Sequence, residues 1–122
     1  MSFKIQIVED NDVTATMIAR RLVAAGYAVS TAREGFTAIE QIYKYKPDLI
    51  LLDLLLPGRS GISILETLRK SEPIVNTPVI VLTSVEDERT KRKVTELGIS
   101  AYFNKPQDMQ ALIEEIEKIL GK

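Results

Sequence analysis

The chain contains no cysteine and no histidine. Those two absences exclude a structural zinc site, an iron–sulfur cluster, a thiol nucleophile and any mechanism with an internal imidazole base. A metal held by side chains has to be a hard cation on oxygen ligands. An excess of one charge is missing as well: 16 basic residues face 17 acidic ones, for a net charge of −1. That balance argues against direct nucleic-acid binding. Long hydrophobic runs are also absent. The densest, Leu49–Leu56, is interrupted by Asp53 and stopped by Pro57, far short of the ~20 residues that span a bilayer, so no membrane partner is expected. The first twelve residues carry Lys4, Glu9, Asp10 and Asp12, which leaves no room for a signal-peptide core. Together with the lack of cysteine, this fits a reducing, cytoplasmic setting.

What is present is an ordinary globular composition: 122 residues, 45% hydrophobic and 27% charged. A chain of that length buries roughly two-thirds of its unfolded surface and needs no disulfide. Short β-type runs alternate with helical patterns five times. Phe3–Val8 reads as a strand, its apolar Phe3, Ile5 and Ile7 alternating with Lys4 and Gln6. Asp12 is the expected cap of a helix striped by Ala15, Ile18, Ala19, Leu22 and Ala25 and closed by Gly26. Tyr27–Thr31 is a short strand. Phe36, Ile39, Ile42 and Tyr43 mark a second helix, ended before Pro47.

Leu49–Leu52 and Val79–Leu82 are apolar on both faces, as central strands of a parallel sheet are. Gly61, Ile64, Leu65 and Leu68 mark a third helix between them. Glu86–Leu97 is a charged fourth helix, Ala101–Asn104 a short strand, and Asp108 the cap of a last helix striped by Met109, Leu112, Ile113, Ile116 and Leu120. Strict alternation predicts an α/β doubly wound five-stranded parallel sheet flanked by five helices. Two strand orders are common for such sheets, and five strands suit 2-1-3-4-5. In either order the ligand site lies beyond the carboxyl ends of the strands.

Those ends are polar. Strand 1 is followed by Glu9 and Asp10, strand 3 by Asp53, strand 4 by Thr83 and Ser84, and strand 5 by Lys105 and Pro106. In the order 2-1-3-4-5 the first and third strands are neighbours, and three carboxylates meet. At about 4 Å each pair repels by ~1 kcal/mol in water and ~4 kcal/mol at an effective dielectric near 20. Either a proton or a cation must relieve this. With oxygen ligands alone, Mg²⁺ or Mn²⁺ is the natural choice. Asp53 is the most informative residue, because an acid inside a run of leucines is costly unless paired or solvated. A carboxylate is a competent nucleophile toward phosphorus and needs no general base. Such transfer depends on positioning and positive charge, which a metal and Lys105 could supply while Thr83 could donate a hydrogen bond.

These residues resemble the receiver domain of two-component response regulators, the CheY-like superfamily, over the whole chain. The resemblance rests on Glu9-Asp10, on Asp53 within the run from Leu52 through Pro57-Gly58-Arg59-Ser60 to Gly61, on Thr83-Ser84 and on Lys105-Pro106. It implies the flavodoxin-like order 2-1-3-4-5. It implies that Asp53 accepts a phosphoryl group from a phosphohistidine on a sensor histidine kinase or histidine phosphotransfer protein. Glu9, Asp10, Asp53 and the backbone carbonyl of Leu55 would bind Mg²⁺, and Thr83 and Lys105 would contact the phosphoryl oxygens. Pro106 would follow a cis peptide bond. Tyr102 would be the switch aromatic, turning into the space left when Thr83 is drawn inward and reshaping the face of the fourth helix, fifth strand and fifth helix for a downstream effector protein or fused output domain. The domain would promote its own phosphorylation and dephosphorylation without being an enzyme with a released product.

Several positions depart from the common pattern. Glu9 stands where Asp is commoner, Ser60 where an Asp often precedes the glycine, and Gln107 where Phe is frequent. Leu55 and Val85 are apolar where polar residues often flank the phosphorylation pocket, so they are expected to shed water and lengthen the acyl phosphate's lifetime. The run Arg89–Lys93 reads as a solvated helix face, although Glu114, Glu115 and Glu117 of a second copy offer it a partner in a phosphorylation-dependent homodimer. Two other classes fit less well. A flavin binder wants a small-residue phosphate loop where Glu9-Asp10-Asn11-Asp12 stands, and a haloacid-dehalogenase-type phosphatase wants an acid at Leu55. Residues 1–122 are accordingly read as one receiver domain, either a stand-alone regulator or a receiver excised from a longer protein.

Overall fold

Each apolar run becomes a parallel strand and each period-3.6 stripe a helix. The computed structural model describes residues 2–72, 74–105 and 108–121. Strands β1 (Lys4–Val8), β2 (Ala28–Ala32), β3 (Leu49–Leu52), β4 (Val79–Thr83) and β5 (Ala101–Asn104) alternate with helices α1 (Asp12–Ala24), α2 (Gly35–Tyr45), α3 (Gly61–Leu68), α4 (Glu88–Leu97) and α5 (Met109–Leu120). The sheet order is β2-β1-β3-β4-β5, all parallel, so the predicted doubly wound fold is the one observed.

Because side chains alternate across a strand, the central strands feed two cores. On one face Val8, Ile50, Leu52, Val79 and Val81 pack with Ile42, Ile64, Leu65, Leu68 and Val94. On the other, Ile5, Ile7, Leu49, Leu51, Ile80 and Leu82 pack with Ile18, Leu22, Leu112 and Ile116. The register aligns Val8 with Leu52 and Leu52 with Val81. The residues just beyond Val8 and Leu52, Glu9 and Asp53, therefore emerge side by side, and Thr83, two residues past Val81, ends the neighbouring strand.

The differences from the sequence reading are local. Asn11, not Asp12, caps α1, accepting from the Thr14 N–H at 2.9 Å. Asp12 is the first helical residue and pairs instead with Arg33 at 2.6 Å. The second strand runs one residue later than expected, and Phe3 lies outside the first. Phe36, in the first turn of α2, is 65% exposed rather than on the helix's buried stripe. Gln6, which alternation placed on a polar face, is fully buried. β1 is central and covered on both sides, so Gln6 finds its partners in the Ile7 carbonyl and in Gln41, itself bonded by Ser30.

Helix α4 starts at Glu88, two residues later than read, since Asp87 turns back to accept from Arg89 N–H. Val94 is its single fully buried residue, while α5 buries Met109, Leu112, Ile113 and Ile116. Burying a large apolar side chain contributes about 1.5–3 kcal/mol, so α4 is the more weakly held of the two. Its amides are expected to exchange with deuterium well before those of α5; equal protection in a hydrogen-exchange experiment would contradict this account.

Candidate functional site

The carboxyl end of the sheet gathers the site. Glu9 follows β1, and its backbone N–H donates to the Ala32 carbonyl at 3.0 Å, fixing the loop against β2. Asp53 follows β3, its N–H donating to the Val8 carbonyl at 3.0 Å. This carries the sheet ladder one residue past the strand and sets the two acids side by side. Carboxylate oxygens of Glu9, Asp10 and Asp53 all lie within 4.8 Å of one another. Glu9 and Asp53 are buried, whereas Asp10 is exposed.

Every oxygen of Asp53 is engaged. Oδ1 accepts from Thr83 Oγ1 at 2.7 Å and from the Leu55 N–H at 3.1 Å. Oδ2 accepts from Lys105 Nζ at 2.8 Å. Lys105 also donates to Glu9 Oε1, and Glu9 Oε2 accepts the Asn11 N–H at 3.0 Å. Burial pushes the Glu9 carboxyl above its ordinary range, and the Lys105 and Asn11 hydrogen bonds only partly offset it. Burial alone would lower the Lys105 ammonium, but its hydrogen bonds to Asp53 and Glu9 prevail and hold it above its usual value. The lysine is thus a fixed positive charge inside an acidic pocket.

A second string of contacts runs outward from Thr83. The Val85 N–H points at Thr83 Oγ1 at 3.4 Å, and the Val85 carbonyl accepts from Tyr102 Oη at 2.6 Å and from Asn104 Nδ2 at 3.1 Å. Lys91 Nζ lies 5.4 Å from the centre of the Tyr102 ring, a cation–π approach that ties α4 to β5. The half-buried Tyr102 therefore already touches the loop that Thr83 begins.

All the side chains singled out from the sequence, Glu9, Asp10, Asp53, Thr83 and Lys105, converge on this end of the sheet, with Leu55 beside Asp53 and Tyr102 two contacts away. The Lys105–Pro106 bond and Gln107 lie outside the described residues. Ser84 is exposed and Leu55 is 56% exposed, so the leucine covers the pocket's rim rather than its floor. Three features escaped the sequence reading. Asn104 and Lys91 carried no motif signal, being ordinary polar residues until β5 and α4 are placed side by side. Gly61 carries the resemblance and marks α3 in the sequence, but its close packing is not legible there: a Cβ would lie 2.3 Å from the Asp53 carbonyl oxygen. A glycine directly after the loop that carries the key acid is the one hint the sequence offered.

The oxygen-only, mostly buried and tightly spaced carboxylates fit a small divalent cation, which takes one or two carboxylates and keeps several waters. Comparison with known proteins identifies the family. Residues 5–117 match the family model described as the response regulator receiver domain. The polar-differentiation response regulator DivK of Brucella ovis is 31% identical over 121 residues, 99% of this chain and 98% of that one. Among solved structures, a response regulator from Chloroflexus aurantiacus J-10-fl superposes with a TM-score of 0.92 at 34% identity, covering 100% of both chains. The BeF3-activated N-terminal receiver domain of Klebsiella pneumoniae RstA gives a TM-score of 0.89 at 32% identity, over 98% of this chain and 99% of that one.

Proposed function

Since this chain belongs to the response regulator receiver domain family and is thereby a signalling domain of two-component systems, we propose that Asp53 is its phosphoacceptor. The observation that carries the reading is the disposition of charge about Asp53. One oxygen is held by the Thr83 hydroxyl and a backbone N–H, and the other by the Lys105 ammonium. A nucleophile so held has a fixed direction of attack, and the donors that hold it lie where negative charge grows on a transferring phosphoryl group. Glu9, Asp10, Asp53 and the Leu55 carbonyl are the ligands for Mg²⁺, with Mn²⁺ as a substitute. The ion, when bound, would offset the charge of the transferring phosphoryl oxygens.

The donor is a phosphohistidine of a sensor histidine kinase or of a histidine phosphotransfer protein. The product is an acyl phosphate, and the chain's chemistry is confined to forming and losing it. Once Asp53 is phosphorylated, the donors that held its carboxylate oxygens are available to turn outward. Thr83 and Lys105 then serve the phosphoryl oxygens. The Val85 carbonyl, held by Tyr102 and Asn104, carries that displacement to α4 and β5, the surface read by an effector, a fused output domain or a second copy. Among the described residues no helix is long and apolar enough to cross a membrane. A single receiver domain over residues 1–122, working in the cytoplasm, completes the reading.

Incubation with acetyl phosphate and Mg²⁺ tests it. Intact mass should rise by one phosphoryl group, the adduct should be labile to hydroxylamine as an acyl phosphate is, and EDTA should prevent its formation. A chain that takes up nothing, or whose adduct resists hydroxylamine, overturns the proposal. The apolar Leu55 and half-buried Val85 flank the pocket mouth and leave an attacking water no hydrogen-bonding side chain. Leu55→Asn with Val85→Glu is therefore expected to speed loss of the phosphoryl group about tenfold, the scale of one positioned hydrogen bond to the water. An unchanged decay rate would show that these two side chains do not govern it.

A further inference from the structure

Helix α4 is held at one end. Val94, its fully buried residue, lies in the C-terminal half, and Leu97 and Ile99 pack against the same core. Lys93 pairs with Glu66 of α3 at 3.7 Å. The first turns, Glu88–Arg92, contain no fully buried residue, and Lys91 meets β5 over the Tyr102 ring. The loop that leads into those turns starts at Thr83, whose hydroxyl bonds Asp53.

The C-terminal end is capped from another helix. Arg69 closes α3. Its Nε donates to the Gly98 carbonyl at 3.0 Å and its Nη1 to the Val75 carbonyl at 3.1 Å. One partly buried guanidinium thereby joins the end of α3, the chain ahead of β4 and the end of α4. Gly98 closes α4 at φ +103°, a backbone that glycine adopts without steric cost. The C-terminal end of a helix carries a partial negative charge that a nearby cation offsets. The last turn of α4 has no basic residue of its own and contains Glu96. The cation that this end needs is therefore supplied by α3. Lysine could not serve both carbonyls in the same way, because only the guanidinium offers donors in a fixed fork.

Resting on the phosphoacceptor reading above, we infer that Arg69 is the fixed end about which α4 turns when Asp53 is phosphorylated. A displacement that begins at Thr83 enters α4 at Asp87 and Glu88 and dies out before Gly98. The surface offered to a partner then changes around Glu88–Lys91 and Tyr102, while the turn Thr95–Gly98 keeps its place. Arg69 touches none of the reacting groups and acts through α4, so it is a positioning residue.

Amide exchange and chemical shifts, followed by NMR on the full chain, test this with wild type, Arg69→Met and Arg69→Lys. In the unphosphorylated chain, Arg69→Met should speed exchange of the Leu97 and Gly98 amides at least about tenfold, the scale of lost hydrogen bonds to a charged group. Amides of β3 and α5 should change far less. Arg69→Lys keeps the stem and the charge but not the fork, and should loosen the same amides by a smaller factor; it also decides the matter if Arg69→Met does not fold. Beryllofluoride with Mg²⁺ then serves as a stable phosphoryl mimic. In wild type it should shift the amides of Ser84–Lys91 strongly and those of Thr95–Gly98 little, and in the arginine variants the shifts should extend to Gly98. The inference is overturned if neither variant loosens Leu97 and Gly98, or if the loosening spreads evenly over the domain. It is also overturned if the wild-type shifts are as large at Gly98 as at Glu88. A wild type that neither gains phosphoryl mass from acetyl phosphate nor responds to the mimic overturns the phosphoacceptor reading and the turning with it, while the exchange comparison still decides the anchor.

Discussion

Asp53→Asn is expected to take up no phosphoryl group from acetyl phosphate under conditions in which the wild type takes up one, with intact mass as the readout. The amide is nearly the same shape and its oxygen still accepts from Thr83 Oγ1, now 2.7 Å from Asp53 Oδ1. What vanishes is the anionic oxygen facing Lys105. An amide is a poor nucleophile toward phosphorus, so the loss is chemical rather than architectural. Stability separates the two. The substitution breaks one ion pair but removes one of three crowded negative charges, each pair of which repels by between ~1 and ~4 kcal/mol at about 4 Å, depending on the effective dielectric. These effects oppose each other, and the melting temperature should move by only a few degrees. A normal phosphoryl adduct on Asp53→Asn would relocate the acceptor, and a collapse of the fold would make the residue structural.

Gly61→Ala is expected to damage the same chemistry without touching a functional group. By helix propensity alone the change in α3 favours alanine by up to about 1 kcal/mol. The tertiary setting reverses this. A Cβ at Gly61 would sit 2.3 Å from the Asp53 carbonyl oxygen and 2.6 Å from Leu54 Cα, and both are backbone with no rotamer to yield. Overpacking of this kind costs about 1–3 kcal/mol, and relief requires the chain at Asp53–Leu54 to move. The Gly61 N–H also donates to the Leu54 carbonyl at 3.1 Å, tying α3 to that loop. Thermal denaturation should show a drop of several degrees, and phosphorylation by acetyl phosphate should slow at least about tenfold, since near-attack geometry tolerates little displacement. Wild-type stability together with a wild-type rate would show that the loop absorbs the methyl group. Gly35 makes a similar approach to the Arg59 backbone, so the first residues of α2 and α3 both pack against the loop beyond β3 with no room for a side chain.

The sequence by itself determined the layers and singled out the residues of the candidate site. Leu49–Leu52 and Val79–Leu82 are apolar on both faces, as expected of strands between two helical layers. Asp53 could be singled out because an acid ending such a run is costly without a purpose. The absence of histidine and cysteine limited any side-chain-held metal to a hard cation on oxygens before any geometry was known. Local signals failed where neighbours in space decide. Asn11 rather than Asp12 caps α1, because the Asn11 carboxamide turns to the Thr14 N–H while Asp12 is drawn to Arg33. Gln6 is buried because its strand lies in mid-sheet. Phe36 is exposed while Ala38 and Ile42 of the same helix are buried. Tertiary structure alone decided that Lys105 reaches across two strands to Glu9, that Tyr102 and Asn104 share the Val85 carbonyl, and that Gly61 must have no side chain. Period and composition encode which face of an element is wet or dry. Contacts between residues far apart in the chain are set by strand order and register, and no single segment carries them.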